Sequence, residues 1–196
     1  MGEEKKRLPV GLENFEQIIN DNYYYVDKTG LISELIRNGG MVNLFTRPRR
    51  FGKTLNMSML EHFFSIERDQ SIYDGLEISK DTKLCEEYMG KYPVISISLK
   101  GINAATYEDA FDFAVQIMKN AAGKMQFLLE SGNLSDFDKA EYKKLLDSGM
   151  SKAVFCSGLK TLSELLEKHY GTKAVLLIDE YDVPLAKAFE NGYYDQ

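Results

Sequence analysis

Residues 46–55, TRPRRFGKTL, combine residue types that bind phosphate. A bound triphosphate needs backbone N–H groups in a tight loop and the positive end of a following helix. It also needs a lysine for the outer phosphates and a hydroxyl for magnesium. Gly52, Lys53 and Thr54 match the end of the pattern Gly-x4-Gly-Lys-Ser/Thr. Arg47 stands where that pattern begins with glycine, so a strand-to-helix turn with a chance Gly-Lys-Thr is the alternative.

A second group of reactive side chains closes the apolar stretch LLIDE, residues 176–180. An acid at the carboxyl end of a parallel strand lies on the edge where open α/β sheets bind ligands. We therefore expect Asp179 to hold magnesium together with Thr54, and Glu180 to polarise the attacking water as a general base. A pair of acids that only caps the strand end is the alternative.

The other residues near the two motifs receive roles by position. Pro48 can replace the missing turn glycine because its ring fixes φ. Arg49 and Arg50 contact phosphate or a nucleic-acid backbone, or are solvated charges in an acidic protein. Asp182 either braces the site or caps the turn at Pro184. The predicted nucleotide contacts are Pro48, Arg49, Arg50, Phe51, Gly52, Lys53, Thr54 and Leu55, with Lys53 and Glu180 as the catalytic residues.

The elements around these motifs alternate between helices and short apolar strands. Apolar spacing and capping residues predict helices over 14–20, 29–37, 53–67, 81–88, 107–129, 137–146 and 153–170, and strands over 41–46, 93–99 and 174–178. Strands separated by helices predict an α/β fold with a doubly wound, mostly parallel sheet of the P-loop NTPase type, in three αβα layers. We expect an N-terminal helix and extended lead-in over residues 1–28 and an ATPase core over 29–196.

Composition and charge exclude several classes of protein. The formal charge of −6 argues against general attraction to nucleic acid or anionic membrane, and no apolar run is long enough to span a bilayer. Cys85 and Cys156 have neither metal-type nor redox-type spacing, which favours reduced structural thiols in a cytoplasmic protein. His62 and His169 have no neighbouring ligand set, so metal binding by either is disfavoured.

Four segments resemble the family of predicted AAA-ATPase-like proteins of bacteria and archaea, which is related to the archaeal and signal-transduction ATPases. The segments are LPVGLENFEQII, YYYVDKTGLISELI, LFTRPRRFGKTLNMSML and VLLIDEYDVPL. Arg-Pro-Arg-Arg-Phe-Gly-Lys-Thr is typical of that family's loop. The resemblance implies binding of ATP and Mg²⁺ at Lys53, Thr54 and Asp179, with hydrolysis assisted by Glu180. It also implies that residues 25–29 lie near adenine, although Asp27-Lys28-Thr29 suits plain helix capping equally well.

The resemblance carries further expectations about function and partners. A glutamate directly follows the aspartate at the strand end, and in this the sequence resembles hydrolytic ATPases. The chain has no guanine-reading Asn-Lys-x-Asp motif, so ATP is favoured over GTP as the nucleotide. Family members usually continue with further core strands, sensor and arginine-finger elements and often a PD-(D/E)XK nuclease domain. Few residues follow Asp179, so we expect the Mg-dependent ATP-binding domain of an AAA-like ATPase that hydrolyses ATP when complete, truncated here after the strand that ends at Asp179. The alternative is a non-hydrolysing switch module that controls an attached nuclease or a protein partner. A role in DNA-associated defence would need nuclease residues that this sequence does not show.

Overall fold

The computed structural model of the protein describes residues 6–46, 51–66 and 68–195. The chain separates into two compact units, Met1–Tyr92 and Pro93–Gln196. The expected functional division at residue 28 stays a prediction.

The first unit is helical. Its α-helices are α1 (Phe15–Asn20), α2 (Gly30–Asn38), α3 (Lys53–Phe64) and α4 (Thr82–Tyr88), with short 3₁₀ helices at Gln70–Tyr73 and Glu77–Lys80. The four α-helices confirm the predicted ones, but α3 ends at Phe64 instead of near residue 67. Ser65 leaves the helix in an extended conformation and forms an isolated parallel bridge with Tyr92. The two 3₁₀ helices were not predicted.

Aromatic side chains hold this unit together around α3. Phe15 and Phe63 are fully buried, and their rings lie 5.2 Å and 5.5 Å from the ring of Tyr73. The Tyr73 hydroxyl donates a hydrogen bond of 2.6 Å to the carbonyl oxygen of Met59 in α3. Buried aromatic pairs stabilise a core by about 0.5–1.5 kcal/mol beyond their area, so α1 and the first 3₁₀ helix are fixed to α3.

The prediction of a strand over residues 41–46 is wrong. Met41, Val42 and Leu44 are 102%, 87% and 66% exposed, and the segment has no regular structure. Gly40 and Asn43 instead form a local turn, in which the Asn43 side chain bonds the Gly40 N–H at 2.9 Å and its carbonyl at 2.7 Å. A strand is stable only when a neighbour satisfies its backbone groups, and none of the described residues pairs with this segment.

The second unit contains the two β-strands that the described residues form. Its elements are β1 (Val94–Ser98), α5 (Tyr107–Gly123), a 3₁₀ helix (Gln126–Glu130), α6 (Asp136–Leu146), α7 (Lys152–Tyr170), β2 (Val175–Asp179) and α8 (Val183–Glu190). Thr106 caps α5, because the Asp109 N–H donates to the Thr106 hydroxyl at 3.2 Å. The α-helix stops at Gly123 before its predicted end at 129, and the 3₁₀ helix turns Leu128 into the core at 0% exposure.

β1 and β2 form a parallel pair in which Val94 lies opposite Val175 and Ser98 opposite Asp179. The helices of this unit supply most of a core cluster around Ile95 of β1, which is fully buried. The α/β class and the parallel pairing are therefore confirmed. The further strands of a doubly wound, three-layer sheet are not formed by the described residues.

A buried histidine makes the first unit sensitive to acid. His62 in α3 is 3% exposed, and neither ring nitrogen has a hydrogen-bond partner among the described residues. Burial lowers the pKa of His62 below its ordinary value. The charge of Arg68 acts in the same direction, whereas three carboxylates oppose it: Glu16, Asp69 and Glu61. The ring is therefore neutral near pH 7.

We expect the free energy of unfolding to fall as the pH drops below about 6.5, the ordinary histidine value. The unfolded chain then binds a proton that the folded chain does not, and one such proton allows a slope of at most about 1.4 kcal/mol per pH unit. Urea titrations between pH 8 and pH 5 measure this slope. His62→Phe, which keeps an aromatic ring, should flatten the profile. An equal slope in both proteins would contradict the assignment.

Candidate functional site

Gly52 and the start of α3 form the part of the phosphate-binding motif that the structure describes. Gly52 has φ +75°, a left-handed conformation that favours glycine, and α3 begins at the next residue. Gly52, the residue before the helix, has no side chain that could cap it, and the first-turn N–H groups have no intrahelical acceptor. The first of the usual helical bonds runs from Asn56 N–H to Gly52 O at 2.9 Å. The positive end of the helix dipole therefore lies at Lys53 and Thr54.

The structure describes some of the predicted phosphate-loop residues and not others. Lys53, Thr54 and Leu55 are half-buried at the helix start, and Phe51 is 60% exposed. The remaining predicted contacts lie outside the described residues, and their roles stay predictions: Arg47, Pro48, Arg49 and Arg50.

The Asp27-Lys28-Thr29 turn is held by hydrogen bonds to the second 3₁₀ helix. The Asp27 carboxylate accepts the Thr29 N–H and hydroxyl at 2.8 and 2.7 Å, and the N–H of Glu77 at 2.7 Å. The buried Thr29 hydroxyl also accepts the Ile78 N–H at 3.1 Å. Burial acts to raise the pKa of Asp27, but the hydrogen bonds outweigh it and the pKa lies below its ordinary value. The carboxylate therefore orders this turn before α2, although no side chain caps the helix itself.

Sequence reasoning missed a contact between this turn and the phosphate-binding motif. A Cβ atom built on Gly52 would lie 3.3 Å from Nζ of Lys28. The two residues are far apart in the chain, and no local pattern predicts their contact. Residues 25–29 thus reach the phosphate motif through Lys28, and their expected position near adenine stays a prediction.

The acid pair lies at the end of β2. Asp179 is 8% exposed, and its carboxylate accepts the Glu180 N–H at 2.9 Å. The Asp179 carbonyl accepts the Leu99 N–H at 3.0 Å, which ties this strand end to the end of β1. Asp179 therefore lies at the carboxyl edge of the parallel pair, as the sequence predicted. Its use of the same magnesium ion as Thr54 stays a prediction.

Glu180 has a strained backbone. Its φ is +54°, which is uncommon for a residue with a side chain. Such conformations cost about 1–3 kcal/mol and occur often at functional sites, where surrounding structure enforces them. Here two hydrogen bonds hold the Glu180 backbone. The Glu180 N–H donates to the Asp179 carboxylate at 2.9 Å, and the Val183 N–H donates to the Glu180 carbonyl oxygen at 3.1 Å. The half-buried Glu180 side chain is thereby given a fixed starting direction at the strand end.

Asp182 occupies the position before α8, but its side chain makes no capping bond. α8 itself was missed, although Pro184 in its first turn is a signal that could have indicated a helix start. Among the described residues, no three His, Cys, Asp or Glu side chains group as a ready-made metal site. Cys85 and Cys156 are both free thiols. No helix in the described parts of the chain combines the length and apolar character needed to cross a membrane.

Comparisons with known proteins agree with the family resemblance of the sequence. The family model described as "Predicted AAA-ATPase" matches residues 9–196. A protein of Azotobacter chroococcum mcd 1, described as an uncharacterized protein in the vnfD 5' region, is 29% identical over 182 residues. That match covers 92% of this chain and 30% of the relative, so the chain spans about 30% of the length of the curated relative it matches. No solved structure matches significantly.

Proposed function

Because this chain belongs to the predicted AAA-ATPase family, we propose that it is the MgATP-binding part of an ATPase that transfers the terminal phosphoryl group of ATP to water. The observation that carries the proposal is the conjunction of Gly-Lys-Thr with an uncapped helix start. Gly52 takes a left-handed conformation and has no side chain to cap α3, so the first-turn N–H groups of the helix have no intrahelical acceptor.

The residues present fit a polyphosphate and its magnesium ion. The free N–H groups and the dipole of α3 favour an anion at Lys53 and Thr54. The space that a Cβ on Gly52 would enter is bordered by another ammonium group, that of Lys28. Magnesium bound to nucleotides is usually held by one or two protein groups together with phosphate oxygens and water, which suits the Thr54 hydroxyl and the Asp179 carboxylate.

Each residue has a separate role in the proposed reaction. Lys53 binds the outer phosphates, and Thr54 and Asp179 hold the magnesium ion. When bound, that ion neutralises charge on the phosphate oxygens. Glu180 accepts a hydrogen bond from the attacking water and takes its proton as the water oxygen bonds to the terminal phosphorus, while the bond from that phosphorus to the bridging oxygen breaks and ADP leaves. The predicted nucleotide is ATP, because the sequence has no guanine-reading motif.

The proposal includes a larger sheet than the described residues form. A doubly wound P-loop fold needs further strands beside β1 and β2. Leu176 and Ile178 of β2 are 41% and 37% exposed, so their side chains are not enclosed by the two-stranded sheet. This incomplete enclosure supports a fold with more strands than two.

Isothermal titration of the protein with MgATP, MgADP and MgGTP tests the proposed function. We expect binding of both adenine nucleotides and much weaker binding of MgGTP. Equal affinity for ATP and GTP would overturn the predicted base preference. Failure of all three to bind would overturn the proposed function itself.

A further inference from the structure

We propose that Lys28 supplies a second ammonium group beside Gly52 at the start of α3, so that bound polyphosphate is held by Lys28 as well as by Lys53. This inference rests on the proposed nucleotide function and adds to it a residue far from the Gly-Lys-Thr motif in sequence. Lys28 acts as a binding residue for the phosphate chain.

The contact with Gly52 carries the proposal. Nζ of Lys28 would lie only 3.3 Å from a Cβ on Gly52, closer than an ordinary van der Waals contact. The missing side chain at Gly52 thus leaves room for the ammonium group directly beside the residue that precedes Lys53. The Lys28 ammonium group therefore lies beside the backbone of Gly52, which belongs to the Gly-Lys-Thr motif.

The backbone of Lys28 is held on the structure while its side chain stays exposed. The Lys28 N–H donates to the Tyr25 hydroxyl at 3.3 Å, and that hydroxyl donates to the sulfur of Met59 in α3 at 3.4 Å. Burial raises the pKa of Tyr25 to about 12, so the hydroxyl keeps its proton for this bond. Asp27 and Thr29 fix the chain on either side. The ammonium group is therefore delivered from a fixed turn, which reduces the ordering cost of binding an anion.

The charge of Lys28 is not neutralised within the described residues. No carboxylate forms an ion pair with it there. The Asp27 carboxylate is occupied by N–H and hydroxyl donors, and the cation that lowers its pKa is Lys80. The sequence has no acid from residue 41 to residue 60, although the whole protein carries −6. An ammonium group that lacks a carboxylate partner and lies beside the residue preceding Lys53 favours a polyanion as the group that offsets its charge.

Titrations of the full chain with MgATP and with inorganic tripolyphosphate test this role. We expect Lys28→Met to weaken binding of both probes by about tenfold, the size of one moderately exposed charge contact. Lys28→Arg keeps the charge and should restore most of the affinity. Lys80→Met removes a nearby charge that does not border Gly52 and should bind like the wild type. Added salt should narrow the difference between wild type and Lys28→Met, because it screens exposed charges.

Binding is measured well below the unfolding temperature of every variant, so that loss of structure does not imitate loss of contact. If the wild type binds both probes and Lys53→Met weakens binding while Lys28→Met does not, the role of Lys28 is overturned and the proposed function stands. If Lys28→Arg binds as poorly as Lys28→Met, the charge is not the reason and the inference fails. If the wild type binds neither probe, both proposals fail.

Discussion

Replacing Lys53 with methionine is expected to weaken MgATP binding about 100-fold. The change removes a charge-assisted contact to the outer phosphates and keeps the apolar stem of the side chain. Hydrogen bonds to charged groups contribute about 1.5–3 kcal/mol, and 2.7 kcal/mol corresponds to about 100-fold. The effect should exceed that at Lys28 because Lys53 is half-buried at the helix start, where water screens it less. Isothermal titration measures the affinity.

Lys83→Met is the matched control for this change. Lys83 is an exposed lysine in the first turn of α4, so it resembles Lys53 in charge and in its place at a helix start. The control should bind MgATP like the wild type and unfold at the same temperature. Equal affinities of wild type, Lys53→Met and Lys83→Met would show that the Gly-Lys-Thr residues do not bind the phosphates.

Replacing Glu180 with glutamine is expected to lower phosphate release at least about 100-fold without weakening MgATP binding. Glutamine keeps the shape of the side chain but cannot take a proton from water at neutral pH. General-base catalysis contributes about 10²–10⁴-fold to a rate, which an ordinary phosphate assay resolves. Glu190→Gln, which alters an exposed carboxylate on α8, should leave the rate unchanged.

Variants of Glu180 also distinguish an ATPase from a switch module that binds nucleotide without hydrolysing it. Equal phosphate release from wild type and Glu180→Gln, with normal MgATP binding, would contradict hydrolysis by this chain and leave the non-hydrolysing module. Glu180→Gly removes the side chain and relaxes the positive φ. It should therefore be at least as stable as the wild type while losing turnover.

The sequence predicted the elements whose signals are local. Three local features are present in the structure and each acts over a few residues: Thr106 caps α5, α7 ends at Gly171, and an apolar stretch precedes Asp179. The end of α5 was less predictable, because the 3₁₀ helix that follows depends on burial of Leu128 in the core. The motif residues Gly52 and Asp179 were placed correctly at a helix start and a strand end.

The features that sequence reasoning missed depend on distant parts of the chain. Residues 41–46 have strand-like composition, but a strand also needs a partner that composition does not reveal. The contact of Lys28 with Gly52 depends on how α3 packs against residues 25–29. The positive φ of Glu180 depends on the turn from β2 into α8, and this sequence carries no glycine there to indicate it.

The proposed function depends on the prediction that Thr54 and Asp179 hold one magnesium ion on the nucleotide that Lys53 binds. The most direct measurement is a double-mutant cycle of ATP affinity, with and without Mg²⁺, for Thr54→Val, Asp179→Asn and the double variant. Asparagine can still accept the Glu180 N–H, so the strand end is preserved. We predict that each single change removes most of the affinity gained from Mg²⁺ and that the double variant loses little more. Strictly additive losses, or a Mg²⁺ gain unchanged by Asp179→Asn, would contradict the shared site.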